Sequence, residues 1–210
     1  MEIKATWLAI PFLCFAPWYA SAEQDTNNAY YRFLYADLSA GSLNENLGTN
    51  SNVTALDVGG NWLPTDNVIV SFDYSARFIH PDITTTEIYT LLPGVGYRYG
   101  IANNFDVYAI AKAGFVWAKQ TNDITDEKLE SDDEFMLGGE LGVKYALSSA
   151  LQLGASVELN RSDLIDEDVY TLDANYLVST RFLLGGFYRH REGDGTNSTN
   201  EGGVSIKFLY

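Results

Sequence analysis

The sequence predicts an all-β protein, a transmembrane up-and-down antiparallel β-barrel of about ten strands, with eight as the alternative count. Three observations predict it. Apolar residues recur at every second position over stretches long enough to cross a bilayer as tilted strands. The connections between those stretches alternate between tight turns and long polar loops. Aromatic residues mark the strand ends.

The alternation is plainest in 105–118, where Phe105, Val107, Ala109, Ala111, Ala113, Phe115 and Trp117 share one parity and Asp106 and Lys112 lie on the other. It recurs in 68–78, 87–99, 134–145 and 151–160, and more weakly in 30–40, 53–63, 169–178, 182–191 and 201–210. Tight turns are expected at 64–67, 101–104, 146–150 and 179–181. Longer polar loops are expected at 41–52, 80–86, 119–133, 162–168 and 192–200. Short connections on one side and long ones on the other are the periplasmic and extracellular ends of an outer-membrane barrel. Trp62, Tyr97, Tyr99, Phe105, Tyr145, Phe182, Phe208 and Tyr210 would form the periplasmic girdle. Phe78, Tyr89, Trp117, Phe135, Tyr170 and Tyr188 would form the outer one. A soluble β-sandwich also alternates, but needs neither strands of this length nor two aromatic rings.

Ahead of the barrel, Met1-Glu2-Ile3-Lys4 leads into an apolar run ending at Ala20-Ser21-Ala22. This reads as a cleavable secretory signal over 1–22, leaving 23–210 as the barrel domain. The run is short for a membrane-spanning helix and contains Pro11 and Pro17. Cys14 is the single cysteine and lies inside the signal. The exported chain therefore has no thiol for catalysis, disulfides or metal binding. A net charge of −15 argues against nucleic acid as partner.

The stretches 91–118 (LLPGVGYRYGIANNFDVYAIAKAGFVWA) and 138–160 (GGELGVKYALSSALQLGASVELN) resemble the small outer-membrane β-barrel superfamily of OmpA-like, opacity and "porin family" proteins. The tail Val204-x-Ile206-x-Phe208-x-Tyr210 is similar to the C-terminal signal read by the barrel-assembly machinery, with Tyr replacing the more usual Phe. The resemblance implies a Gram-negative outer membrane, with its lipid and lipopolysaccharide as surroundings. One departure is the strand count, since well-known members have eight.

Charged residues inside the strands fall on the inward parity: Arg32, Asp57, Asp73, Arg77, Arg98, Asp106, Lys112, Glu140, Lys144, Glu158, Asp173 and Lys207. On the lipid face each would cost several kcal/mol near the midplane, roughly 2–4 for Arg or Lys. Six acids against six bases, with bulky Tyr108, Ile110 and Met136, predict a plug of ion pairs rather than a conduction path. Inward Gly94, Gly96, Gly114, Gly138, Gly142 and Gly154 leave room for long side chains across the lumen. The remaining charge is strongly acidic and sits at rims and loops, with Asp123, Asp126, Glu127, Glu130, Asp132, Asp133 and Glu134 in one loop and Asp163, Asp166, Glu167 and Asp168 in another. Their spacing matches no EF-hand, so a solvated acidic surface is the simpler reading, with a surface ligand as the functional one.

Histidine offers little for catalysis. His80 is close to Asp82, and His190 to Glu192, Asp194 and Ser198, but neither set matches the motifs of outer-membrane proteases or lipid A deacylases. Gly94-x-Gly96-x-x-x-Gly100 has the wrong spacing for nucleotide binding and no helix follows. The sequence thus points to a non-enzymatic barrel, without cofactor or metal, that serves as scaffold, envelope-integrity or surface-interaction protein. A narrow pore for small solutes is second, and an enzyme acting on lipid or peptide third.

Overall fold

A computed structural model describes residues 29–210 apart from 82, 126 and 194–196. The signal segment, Cys14, Asp82, Asp126 and Asp194 lie outside the described residues.

The chain forms ten antiparallel strands: β1 (Phe33–Leu43), β2 (Val53–Trp62), β3 (Val68–Ile79), β4 (Thr84–Ala102), β5 (Phe105–Asn122), β6 (Glu127–Ala146), β7 (Leu151–Arg161), β8 (Asp166–Ser179), β9 (Phe182–Gly193) and β10 (Ser198–Leu209). Each pairs with its sequence neighbours, and β1 pairs with β10 from Phe33↔Leu209 to Leu43↔Thr199, closing the barrel. Closure leaves no open edge within the bilayer wall, the only way a sheet can satisfy its backbone in hydrocarbon. The count is ten, not eight.

The two faces separate as the alternation requires. Leu141, Val204 and Leu172 point outward and are 60% exposed or more, whereas inward Asp106 and Glu201 are fully buried. Outside the wall, the rings of Phe105 and Tyr145 meet at 6.4 Å and those of Phe182 and Phe208 at 5.3 Å, all near the short-turn end. Phe78 and Tyr89 meet at 6.1 Å, and Phe115 and Phe135 at 5.8 Å, towards the other end. Tyr210 secures the seam by donating its hydroxyl to the Asn61 carbonyl at 2.9 Å.

The long-loop end departs most from expectation. Strand β4 has 19 residues, β5 has 18 and β6 has 20, while about 9–11 suffice to cross a bilayer. The stretch 119–133, expected as a loop, is instead a paired hairpin with turn residues at 123–125. It forms with the start of β4 a three-stranded blade beyond the rim. The expected loops 162–168 and 192–200 likewise shorten, because β8 begins at Asp166, β9 runs to Gly193 and β10 begins at Ser198. These extensions carry polar side chains on both faces, so they lack the alternation that marks a wall strand. Between β1 and β2 the loop is real. Asn44 opens it in the left-handed region (φ 55°), and its side chain accepts the Ser198 backbone N–H at 2.8 Å.

The lumen as candidate functional site

Glycines on the inner wall create the room that charged side chains occupy. A Cβ at Gly142 would collide with the Tyr108 ring, and one at Gly154 with the Asp173 carboxylate. The inward side chains then arrange in three levels.

At the short-turn mouth, the residues just before β1 turn into the barrel. Tyr31 is 2% exposed and packs with Ala29, Leu63, Ile69 and Ile110. Its ring meets Tyr108 edge-on at 6.1 Å. The Lys144 ammonium lies 4.0 Å above the Tyr31 ring and the Arg98 guanidinium 4.8 Å from it, both within cation–π range. Backbone bonds fix the segment: Lys144 Nζ donates to the Tyr30 carbonyl, and the Tyr30 N–H to Gln152 Oε1, both at 2.9 Å. Burial, with Asp106 nearby, raises the Tyr31 phenol well above its ordinary value, so it stays neutral. This plug replaces the strand expected to start at residue 30.

The middle level centres on Lys112. Its ammonium lies 3.1 Å from Asp73, 2.8 Å from Glu140 and 2.8 Å from Glu158. Glu140 and Glu158 are directly opposite on β6 and β7, a pairing that repels unless a cation sits between them. Each acid also accepts from a neutral donor: Asp73 from Tyr35 and Glu140 from Tyr108 at 2.7 Å, and Glu158 from Asn160 at 2.9 Å. Three strands converge from different sides on one lysine of β5.

In the outer half the arginines take over. Glu167 receives Arg77 at 2.9 Å and Arg191 at 3.0 Å, and Arg191 continues to Glu201 at 3.0 Å. Glu201 also accepts from Thr199 at 3.0 Å and Ser39 at 3.1 Å, and Arg189 pairs with Asp57 at 2.6 Å. Beside them an apolar group of Ile88, Leu92, Val116 and Met136 is covered by Leu164 and Ile165. That loop is locked, since Ser162 Oγ donates to the Ile165 carbonyl and accepts the Ile165 N–H, both at 2.9 Å.

The twelve residues singled out in the sequence fall as follows. Asp73, Lys112, Glu140 and Glu158 form the middle level, and Asp57 and Arg77 join the arginine level. Arg98, Asp106 and Lys144 belong to the mouth, where Arg98 Nη1 lies 3.6 Å from Asp106 Oδ2 and Lys144 is the cross-strand neighbour of Asp106. Lys207 sits over the Phe33 ring at 5.2 Å, and Asp173 accepts from Asn175. Arg32 stands in the bend before β1, one residue off the inward parity of Phe33 and Tyr35. Of the tail, Val204 and Ile206 face outward on β10.

Sequence reasoning overlooked Asp37, Glu167, Arg189, Arg191 and Glu201. Glu201 was legible, because it shares the parity of Lys207. Arg189 and Arg191 share the parity of Leu183, and Glu167 had been read as loop. Around these charges runs an internal cavity of about 200 Å³, lined among others by Tyr35, Asp37, Ser75, Thr171 and Asp173.

The histidines stand apart from the lumen charges. His80 follows β3 and donates its backbone N–H to Asn52 at 2.8 Å. His190 lies on the outer parity of β9, 2.8 Å from Asn200 Oδ1 and 3.2 Å from Glu192, while the Ser198 backbone is engaged by Asn44. Among the described residues no three His, Cys, Asp or Glu side chains are grouped to hold a metal ion. At the most acidic point of the lumen, the position between carboxylates is filled by Lys112.

Comparison with solved structures finds similar chains at low sequence identity. The translocator domain of the autotransporter NalP from Neisseria meningitidis superposes with a TM-score of 0.52 at 10% identity, covering 87% of this chain and 89% of that one. Neisserial surface protein A gives 0.48 at 12%, covering 86% and 98%. Ail, the attachment invasion locus protein of Yersinia pestis, gives 0.42 at 13%, covering 84% and 94%. No curated protein matches the chain in sequence. The family described as outer membrane protein beta-barrel domain matches residues 6–207, nearly the whole sequence, and the chain belongs to that family of bacterial outer-membrane barrels.

Proposed function

We propose that this protein is a non-enzymatic outer-membrane barrel that does not conduct solutes and works as a scaffold or surface-interaction protein through its extracellular face. The observation that carries this reading is the convergence of Asp73, Glu140 and Glu158 on Lys112 across the barrel interior. A permeating ion would have to displace the ammonium from three carboxylates, then pass either the arginine level or Tyr31. Charged side chains paired in this way fill a narrow lumen. The cleaved signal, the lipid and lipopolysaccharide surroundings and recognition of Val204, Ile206, Phe208 and Tyr210 by the assembly machinery belong to the same proposal.

A second reading, a narrow pore for small solutes, draws support from the 200 Å³ polar cavity. Planar-bilayer recording separates the two. The plugged barrel gives a flat baseline, and Tyr31→Ala alone leaves it flat because the two charged levels persist. Steady open events from the unaltered protein, with selectivity changed by Arg98→Ala or Lys144→Ala, would establish the pore instead.

A further inference from the structure

The blade above the rim leaves one strand edge without a neighbour. On its inner side β6 pairs with β5 from Phe105↔Tyr145 as far as Asn122↔Glu127. On its other side the pairing with β7 ends at Leu137↔Arg161, where the chain turns away. Residues 127–135 of β6 therefore have a strand on one side only, and 127–133 are all exposed. In an antiparallel ladder, alternate residues aim both N–H and C=O at the same neighbour. Ala146 donates its N–H to the Asn104 carbonyl on the β5 side at 2.8 Å, so the even-numbered residues of β6 aim at β5 and Phe135, Asp133 and Ser131 aim at the open side. Asp133 shows this directly, since its N–H is taken up by the Asp132 carboxylate at 2.9 Å rather than by another strand.

An open edge is a template for an added strand, and proteins usually protect it with lysine, proline or a bulge. Here a bulge at Leu129 disturbs the tip, where Gln120↔Glu130 is followed by Thr121↔Lys128. From Glu130 to Phe135 the edge has neither proline nor lysine. Its charged side chains are Glu130, Asp132, Asp133 and Glu134, with Glu127 and a single cation, Lys128, above and Asp163 in the adjacent loop. A second copy of the chain would bring like charges together, which costs free energy when they lie opposite one another. A basic extended segment would meet complementary charge and unpaired backbone groups at once.

We propose that the edge 130–135 of β6 is a docking site for an extended, lysine- or arginine-rich polypeptide segment, which adds as a strand where β7 stops. This rests on the surface-interaction reading above and names its partner class. Backbone pairing supplies the register, as in other cases of strand addition, and the acids select the partner. Divalent cations or polyamines would satisfy the acids but not the backbone.

The test uses the full barrel in nanodiscs and a fluorescent ten-residue peptide of alternating lysine and threonine. A second peptide has the same sequence with alternate backbone amides N-methylated. The expected result is saturable binding of the first peptide, weakened at least about tenfold by N-methylation, because several backbone hydrogen bonds are lost at constant charge. Asp133→Pro removes an N–H that faces the open side, a position where a strand tolerates proline, and should weaken binding similarly. Heat-resistant gel mobility checks that this variant is folded, and the N-methylated peptide needs no variant at all. Equal binding of the two peptides would reduce the site to charge alone and overturn the proposal. So would no saturable binding up to millimolar peptide, or peptide-free dimers cross-linked through the edge. None of these outcomes changes the conductance record, which tests the plugged-barrel reading separately.

Discussion

Replacing Lys112 by methionine keeps the unbranched side chain up to its Cε and removes the ammonium. The ammonium is 4% exposed and within 3.1 Å of all three carboxylates, whose side chains are 16–23% exposed. Screening by bulk water is therefore weak, and breaking a buried pair by deleting one partner costs about 3–5 kcal/mol. Two considerations bear on where in that range the cost falls. Tyr35, Tyr108 and Asn160 still donate to the acids, which lowers it. Glu140 and Glu158 now face each other with nothing between them, which raises it. We expect roughly 4 kcal/mol, near a thousandfold in the unfolding constant. Urea titration in lipid vesicles, followed by gel mobility, measures it. The triple variant Lys112→Met, Glu140→Gln, Glu158→Gln removes the repulsion and should recover more than half of the loss, since neutral groups of the same shape replace the ions. A single-variant loss below about 1 kcal/mol, the range of an exposed ion pair, would refute the reasoning. So would a triple variant no better than the single.

Four further substitutions probe the rest of the barrel by the same titration. Gly142→Ala pushes a methyl into the Tyr108 ring and should cost about 1–3 kcal/mol, whereas Gly139→Ala, with nothing within 4 Å, should stay within about 0.5 kcal/mol of the unaltered protein. Equal effects at the two glycines would contradict the packing described. Leu141→Arg puts a cation on the lipid face at a residue 64% exposed and should cost about 2–4 kcal/mol. A neutral result there would mean that this face is not in hydrocarbon. Tyr31→Ala empties the plug at the short-turn mouth, and by analogy with other buried rings should cost about 3 kcal/mol. An unchanged urea midpoint would show that the plug adds nothing to stability.

What the sequence made legible follows from where a period exists. The wall strands 105–118 and 134–145 must alternate because one face meets lipid and the other meets the lumen, so their parity and most of the inward charges could be read directly. The blade could not, because Lys119-Gln120-Thr121-Asn122 and the acids of 127–134 have water on both faces and no reason to alternate. The plug was illegible for another reason. Tyr31 has the composition of a strand residue, and only the bend at Arg32 turns it inward. Which acid meets which base was hidden as well. Lys112 and Asp73 are on strands separated by β4, and their contact depends on stagger and side-chain reach across the lumen.

That cross-lumen reach bears on why stiffness and variability divide as they do in this barrel. Backbone ladders connect each strand only to its two neighbours. Lys112 ties β5 directly to β3, β6 and β7, Arg189 ties β9 to β2, and Arg77 ties β3 to β8. These ties resist any ovalling or opening of the wall, because moving one strand separates charges that low exposure leaves poorly screened. They end where the lumen ends. Above it, β4, β5 and β6 hold one another through ladder bonds and a few rim pairs such as Lys119–Glu87 at 3.6 Å, and β6 has an open edge. Substitutions inside the lumen must therefore be compensated in groups, as the triple variant tests. Substitutions on the blade face no such constraint, so a barrel of this build can change its blade without changing its wall.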